Sequence, residues 1–250
     1  MKYILIAVIL LSCNSQKRNI PVSTEKLDTI SPVTVASAAT PALFETAFIK
    51  GTTQTINNKP FSLYGVTIGK IKITSGRITV CDPLHIDEYG KPFTRIFPTG
   101  EFPVQLSIAK MGDEEVTAFA RINFSDEPVV KWEFALLEGQ SAIPVGGSET
   151  HEYCVDAGVG IFMDEEAIKA LDIQKIQEME SKSDLFKEME KHYHATWRFA
   201  LYNFGQYNLA AFTTGFGDGC YSTYIGFDAK GNPCRLLTDF NLFDWRQSKK

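Results

Sequence analysis

Five residues combine reactive side-chain chemistry with a suitable local setting: Asp82, His85, Asp156, Asp218 and Asp239. Each aspartate stands where a β-type run gives way to turn residues, in Cys81-Asp82-Pro83, Val155-Asp156-Ala157, Gly217-Asp218-Gly219 and Thr238-Asp239-Phe240. If those strand ends converge, several carboxylates share one pocket, as an acid/base pair or a Ca²⁺ site requires. Taken singly, an aspartate at such a place forms an Asx-turn and caps loop N–H groups. His85, three residues after Asp82, is the histidine best placed to join them. No serine sits in a Gly-x-Ser-x-Gly elbow. A hydrolase would therefore use the aspartates with His85, or a cysteine nucleophile at Cys81 or Cys154 with His85 or His151 as base.

The densest chemical signal is Thr213-Thr214-Gly215-Phe216-Gly217-Asp218-Gly219-Cys220-Tyr221. Three glycines in five positions imply a backbone path that other residues resist. Gly217, Asp218, Gly219 and Tyr221, with Asp82, Asp156 and Asp239, form the candidate binding or structural loop set. The spacing matches neither a calcium loop nor a phosphate loop, and no Cys-x-x-Cys or matching histidine pair suggests zinc. No metal or other cofactor is expected.

Cys81, Cys154, Cys220 and Cys234 remain after Cys13. In an oxidising compartment three pairings are open, as is the reading of all four as small buried apolar residues. A hairpin turning at 228–232 would place Ile225 opposite Cys234 and Cys220 opposite roughly Asp239, which sets Cys220 and Cys234 apart. Cys81 and Cys154 both precede an aspartate turn and are the expected disulfide.

The elements positioning these residues read as β. Eighteen Phe and nine Tyr favour sheet packing. Residues 61–74, interrupted by Gly65 and Gly69, and 77–81 read as strands around a Ser75-Gly76 turn. Strict alternation in 102–108, 116–124 and 130–136 predicts a three-stranded antiparallel meander. After residue 164 the period changes. Asp164 is an N-cap ahead of Glu165-Glu166, and Ile168, Leu171, Ile176 and Met179 form a broken apolar stripe, followed by a second helix through Phe186 and Met189. Strand patterns return from Trp197. A short amphipathic helix over 41–51 opens the domain. The expected fold is α+β: mostly antiparallel β, two packed β layers, with a helical insertion before the C-terminal hairpin.

Hydrophobic content of 44% with 22% charged residues excludes wholesale disorder. A formal charge of −5 argues against non-specific nucleic-acid binding. At the N-terminus, Lys2 and the apolar run 4–11 form a secretory signal too short to span a bilayer. Leu10-Leu11-Ser12-Cys13 resembles a bacterial lipobox, so residues 1–12 are expected to be cleaved and Cys13 acylated. Asn14 after the cysteine favours the outer membrane, facing the periplasm or the cell surface. Residues 13–42 then form a lipidated tether, with a reach of roughly 30 Å, and 43–250 one globular β-rich domain.

Three signatures occur in order: Ser75-Gly76 with Cys81-Asp82-Pro83; Pro98-x-Gly100 with Phe102-Pro103-Val104; and Gly217-Asp218-Gly219-x-Tyr221 with Gly226-x-Asp228 and Asp239-Phe240. With 153–158 between them, the chain resembles the bacterial family called domain of unknown function 4241 over roughly 61–240. The resemblance implies one domain and carries no activity. The expected role is a membrane-anchored envelope lipoprotein that binds an unidentified protein or small molecule without catalysis. The alternative is a small periplasmic hydrolase using the aspartates with His85.

Overall fold

The computed structural model describes residues 41–178 and 182–246. The expected signal peptide, the acylated Cys13 and nearly all of the tether lie outside them, as does Met179 of the apolar stripe.

The chain enters through α1 (Leu43–Thr46), a single turn that buries Leu43 and Phe44. β1 (Thr52–Ile56) and β2 (Lys59–Ile73) form a hairpin. β3 (Ile78–Cys81) follows the Ser75-Gly76 turn and runs into a 3₁₀ turn, Pro83–His85, and α2 (Ile86–Tyr89). Next come β4 (Gly100–Met111), β5 (Glu114–Asn123), β6 (Lys131–Phe134), β7 (Glu152–Val155) and β8 (Val159–Asp164). Three short helices follow: α3 (Glu165–Ala170), α4 (Ile173–Gln177) and α5 (Asp184–Glu190). The chain closes with β9 (Tyr193–His194), β10 (Trp197–Phe204), β11 (Tyr207–Thr213), β12 (Gly219–Phe227) and β13 (Pro233–Asp239).

These strands make two antiparallel sheets, one of them curled into a half-barrel. The larger has the order β1-β2-β4-β5-β13-β12-β6, with β7 also paired to β12. The smaller has the order β3-β8-β11-β10-β9. A shared core lies between them. Ile71, Leu106, Ile122 and Leu236 of the first sheet meet Val80, Phe162, Ala210 and Phe212 of the second. Burying each such side chain is worth about 1.5–3 kcal/mol, so this contact is the main driving force for joining the sheets.

Several expectations change here. β6 does not complete a meander; it pairs with β12, while β5 pairs with β13. Residues 61–74 are not broken at their glycines, because β2 runs through both and absorbs Gly69 in a bulge against β4. The closing hairpin has Ile225 opposite Leu236 rather than Cys234: the turn sets Phe227 opposite Pro233, and a bulge between Gly226 and Phe227 shifts the register by one more residue. Glu165, on the first turn of α3, meets Arg77 at 2.8 Å.

Asp164 is the N-cap of α3, as its position suggested: its side chain accepts the Glu166 N–H. The same buried carboxylate also accepts bonds from the backbone N–H and hydroxyl groups of Thr74 and Ser75. One aspartate thus ties the Ser75-Gly76 turn to the start of the helical stretch.

Candidate functional site

Asp82 ends β3 at a point where its backbone is extended and the next three residues turn. Its Oδ1 accepts the Leu84 N–H at 2.7 Å and thereby caps the 3₁₀ turn. Its Oδ2 accepts the N–H groups of Asp156 at 2.7 Å and Ala157 at 3.2 Å. The carboxylate is 1% exposed. Three backbone donors occupy it inside the protein, so it is a structural anchor rather than a solvent-facing base. One side chain consequently sets the path of two turns distant in sequence.

Those two turns carry His85 and Asp156. His85 Nε2 lies 3.3 Å from Asp156 Oδ2, and the Asp156 side chain is 79% exposed. Asp156 faces a cleft of about 610 Å³ that it shares with Asp218 and Glu178. Leu84, Phe186 and Phe216 supply apolar walls. Of the expected set, Asp156 and Asp218 line the cleft; Asp82 stands behind its wall, and His85 touches Asp156 without lining it. Among the described residues lining the cleft there is no serine, threonine or cysteine. Also among the described residues, no three His, Cys, Asp or Glu side chains gather in a way that could hold a metal ion.

The glycine-rich loop forms the opposite wall. Thr214 is buried, donates its N–H to the Gly158 carbonyl at 2.9 Å, and donates its hydroxyl to the Gly217 carbonyl at 2.8 Å. Tyr221 Oη donates to that same carbonyl at 2.7 Å. The Gly217 N–H returns to Thr214 O at 2.7 Å, closing a tight turn around Phe216. Gly217 has φ = +118°, a backbone conformation that L side chains rarely adopt. Across the cleft floor, a Cβ on Gly158 would lie 3.2 Å from Gly217 Cα, so the 156–158 turn and the glycine-rich loop interlock.

Tyr221 is buried, 5% exposed, and packs edge-on against Phe240. Desolvation pushes its phenol pKa up. It is the loop's anchor, not an aromatic offered to a partner. Asp218 is exposed and lines the cleft, while Thr214 and Tyr221 hold the loop.

Phe216 is 80% exposed. It borders the first cleft and also a second, of about 530 Å³, that lies beyond the Gly158–Gly217 ridge. Tyr193, Glu114 and Arg198 help to line that second cleft. Tyr193 is likewise exposed, so two aromatic rings border it.

Asp239 is elsewhere in function as well as in place. It is 1% exposed, accepts the Asn241 N–H at 2.9 Å and the Trp245 indole N–H at 2.6 Å, and does not line the cleft. Burial raises its pKa to about 6, although both bonds oppose that rise. Its role is to hold the C-terminal segment over the core, where Trp245 meets Phe44 edge-on.

The cysteines also differ from expectation. Cys154 is joined to Cys220, not to Cys81. The two sit directly opposite each other in the β7–β12 ladder, with Cα atoms 3.9 Å apart. Cys81 is a buried free thiol, and desolvation followed by the neighbouring Asp82 pushes its pKa up. A protonated, enclosed thiol cannot serve as the nucleophile of a cysteine hydrolase. Among the described residues, Cys234 is the other buried free thiol.

No local signal announced the Cys154–Cys220 pair, because it depends on β7 reaching β12 across the sheet. Glu178 was also unforeseen as a cleft residue; it lies just past α4, in a segment whose pattern reads as an ordinary covering helix.

Residues 71–238 match the family model described as "Protein of unknown function (DUF4241)". No curated protein and no solved structure matches the chain.

Proposed function

Because the chain belongs to the DUF4241 family, whose description assigns no activity, we propose from the site alone that this protein is a binding module of the cell envelope. The observation that carries the reading is Phe216: a fully presented ring on a loop whose backbone is tied down at Gly217. An exposed phenylalanine on a fixed loop loses little entropy on docking, and burying its ring is worth about 1.5–3 kcal/mol. Aromatic residues, phenylalanine among them, are enriched at the cores of protein–protein interfaces. The flanking clefts, one acidic through Asp156, Asp218 and Glu178, receive the partner's neighbouring groups. The partner is a protein of the same envelope compartment.

Residues 165–190 act as a helical insertion ahead of the closing strands and supply the cleft's outer wall through Gln177, Glu178 and Phe186. The lipobox-like Leu10-Leu11-Ser12-Cys13 supports acylation at Cys13, with 13–42 as a tether that holds the domain away from an outer membrane. Capture of the lipidated protein with its neighbours by cross-linking in its own envelope tests the reading. Phe216→Ala and Asp218→Ala are expected to lose a protein that the parent retains, with melting temperature unchanged. Equal capture by all three proteins would refute it.

The contact of His85 with Asp156 favours a second reading, a hydrolase in which the aspartate orients the imidazole as general base for an attacking water. An ester or phosphoester hydrolysis that disappears in His85→Gln would support it.

A further inference from the structure

We infer that the Cys154–Cys220 disulfide is a thiol–disulfide exchange site for a dithiol reductant, and that its redox state governs how firmly the two walls of the cleft are held together. Cys154 and Cys220 are both exposed, whereas the free thiols Cys81 and Cys234 are buried. An attacking thiolate therefore has access to this bridge and not to the interior cysteines, and access is one of the terms that set exchange rates.

The position of the bridge gives its reduction a consequence. β7 is only four residues long and lies off the main path of its sheet, paired to β12 from Glu152 to Val155. Cys154 stands two residues before Asp156 on one cleft wall, and Cys220 stands two residues after Asp218 on the other. With the bridge closed, the covalent link holds the 156–158 turn against the glycine-rich loop. With it open, the short β7–β12 ladder, the Asp82 bonds to 156 and 157, and the Thr214–Gly158 bond remain.

The step balances as an ordinary exchange. A thiolate of the dithiol attacks one sulfur, the Cys154–Cys220 bond breaks, and the other cysteine leaves as a thiolate that takes a proton. The second thiol of the reductant, deprotonated, then displaces the remaining cysteine. The dithiol becomes a cyclic disulfide, and the protein gains two electrons and two protons as two thiols. Glu152, Asp156 and Asp218, all exposed, lie two residues from the bridge along the chain. Their negative field disfavours an anionic attacking thiolate and favours a reductant that also carries a positive charge.

The inference rests on the geometry of the walls and not on any occupant of the cleft, so its test reads no binding. The full chain is treated with dithiothreitol without denaturant, quenched with a maleimide and mapped by peptide mass. Cys154 and Cys220 are expected to be labelled while Cys81 and Cys234 stay unlabelled, with far-ultraviolet circular dichroism unchanged. Amide exchange over 156–158 and 216–219 is expected to rise about tenfold and to fall back on re-oxidation. At low salt the cationic dithiol dithiobutylamine is expected to open the bridge roughly tenfold faster than the anionic dithiol dihydrolipoate. The oxidised Cys154→Ser/Cys220→Ser protein is expected to exchange like the reduced parent. A bridge that opens only in denaturant would overturn the inference. So would opening that leaves exchange over both segments unchanged, or labelling of Cys81 and Cys234 together with the bridge.

Discussion

Asp82 Oδ2 accepts the backbone N–H of Asp156 at 2.7 Å, across 74 residues of chain. That bond makes one wall of the cleft an extension of β3. It also explains why Asp82, three residues before His85, is not its partner: Asp82 turns inward to hold the loop from which Asp156 reaches His85.

Asp82→Ala is expected to destabilise the domain by about 3 kcal/mol. The substitution leaves buried N–H donors at 84, 156 and 157 without an acceptor, and each such loss costs about 1–3 kcal/mol before relaxation. Urea unfolding measures it. A loss under about 1 kcal/mol would mean that water replaces the carboxylate easily.

Asp239 makes stability depend on pH. Its pKa is raised from 3.8 to about 6 in the folded protein, so the folded state holds its proton more tightly than the unfolded chain. This contribution is fully present below about pH 4 and is lost as pH rises through about 6. The shift corresponds to about 3 kcal/mol at most. Asp239→Asn removes the titration, so the difference in unfolding free energy between variant and parent is expected to change between pH 4 and pH 7. A constant difference would show that the site does not titrate there.

The Gly217 turn can be tested at its two supports. Tyr221→Phe deletes one of the two hydroxyls on the Gly217 carbonyl and is expected to cost about 1 kcal/mol. Gly217→Ala adds a methyl group that meets nothing within 4 Å, so its expected cost of about 1–3 kcal/mol is backbone strain at φ = +118°. Both variants are expected to speed amide exchange over 214–219. If Gly217→Ala is as stable as the parent, the loop adopts another path.

The disulfide closes a separation of 66 residues. On the chain-entropy estimate, Cys154→Ser/Cys220→Ser loses about 4 kcal/mol. The corresponding change at the buried pair, Cys81→Ala/Cys234→Ala, is expected to show no such cross-link effect and to differ from the parent only by lost packing. Denaturant midpoints under non-reducing conditions separate the two. Equal midpoints for the parent and the serine variant would show that the bridge contributes nothing.

Much of this architecture is legible along the chain. The alternation of Phe102, Val104, Leu106 and Ile108, the N-cap at Asp164, and the turns at Ser75-Gly76 and 228–232 all depend on neighbours a few residues away. A period of two buries one face of a strand whichever strand it meets, and an aspartate caps the N–H groups that follow it. That Asp82, Asp156, Asp218 and Asp239 stand at strand ends is legible in the same way; which of them share a cleft is not, since Asp239 has the same setting and lies elsewhere.

The partners were decided only by the tertiary structure. β6 reads like the third strand of a meander, yet it pairs with β12, since alternation does not specify a neighbour. The bulge between Gly226 and Phe227 moved the closing hairpin's register, and no residue type demanded it. Cys154 met Cys220 rather than Cys81 because β7 and β3 belong to different sheets, while Cys154 and Cys220 face each other on adjacent strands. Tyr221 and Phe216 are both aromatic residues of one loop; packing against Phe240 buried the first, and the Gly217 turn left the second in solvent. The sequence by itself determined which segments are strands, caps and turns. Assembly of the two sheets around a shared core decided which carboxylates anchor, which face the cleft, and which cysteines can be reached, because those outcomes depend on contacts between residues far apart in the chain.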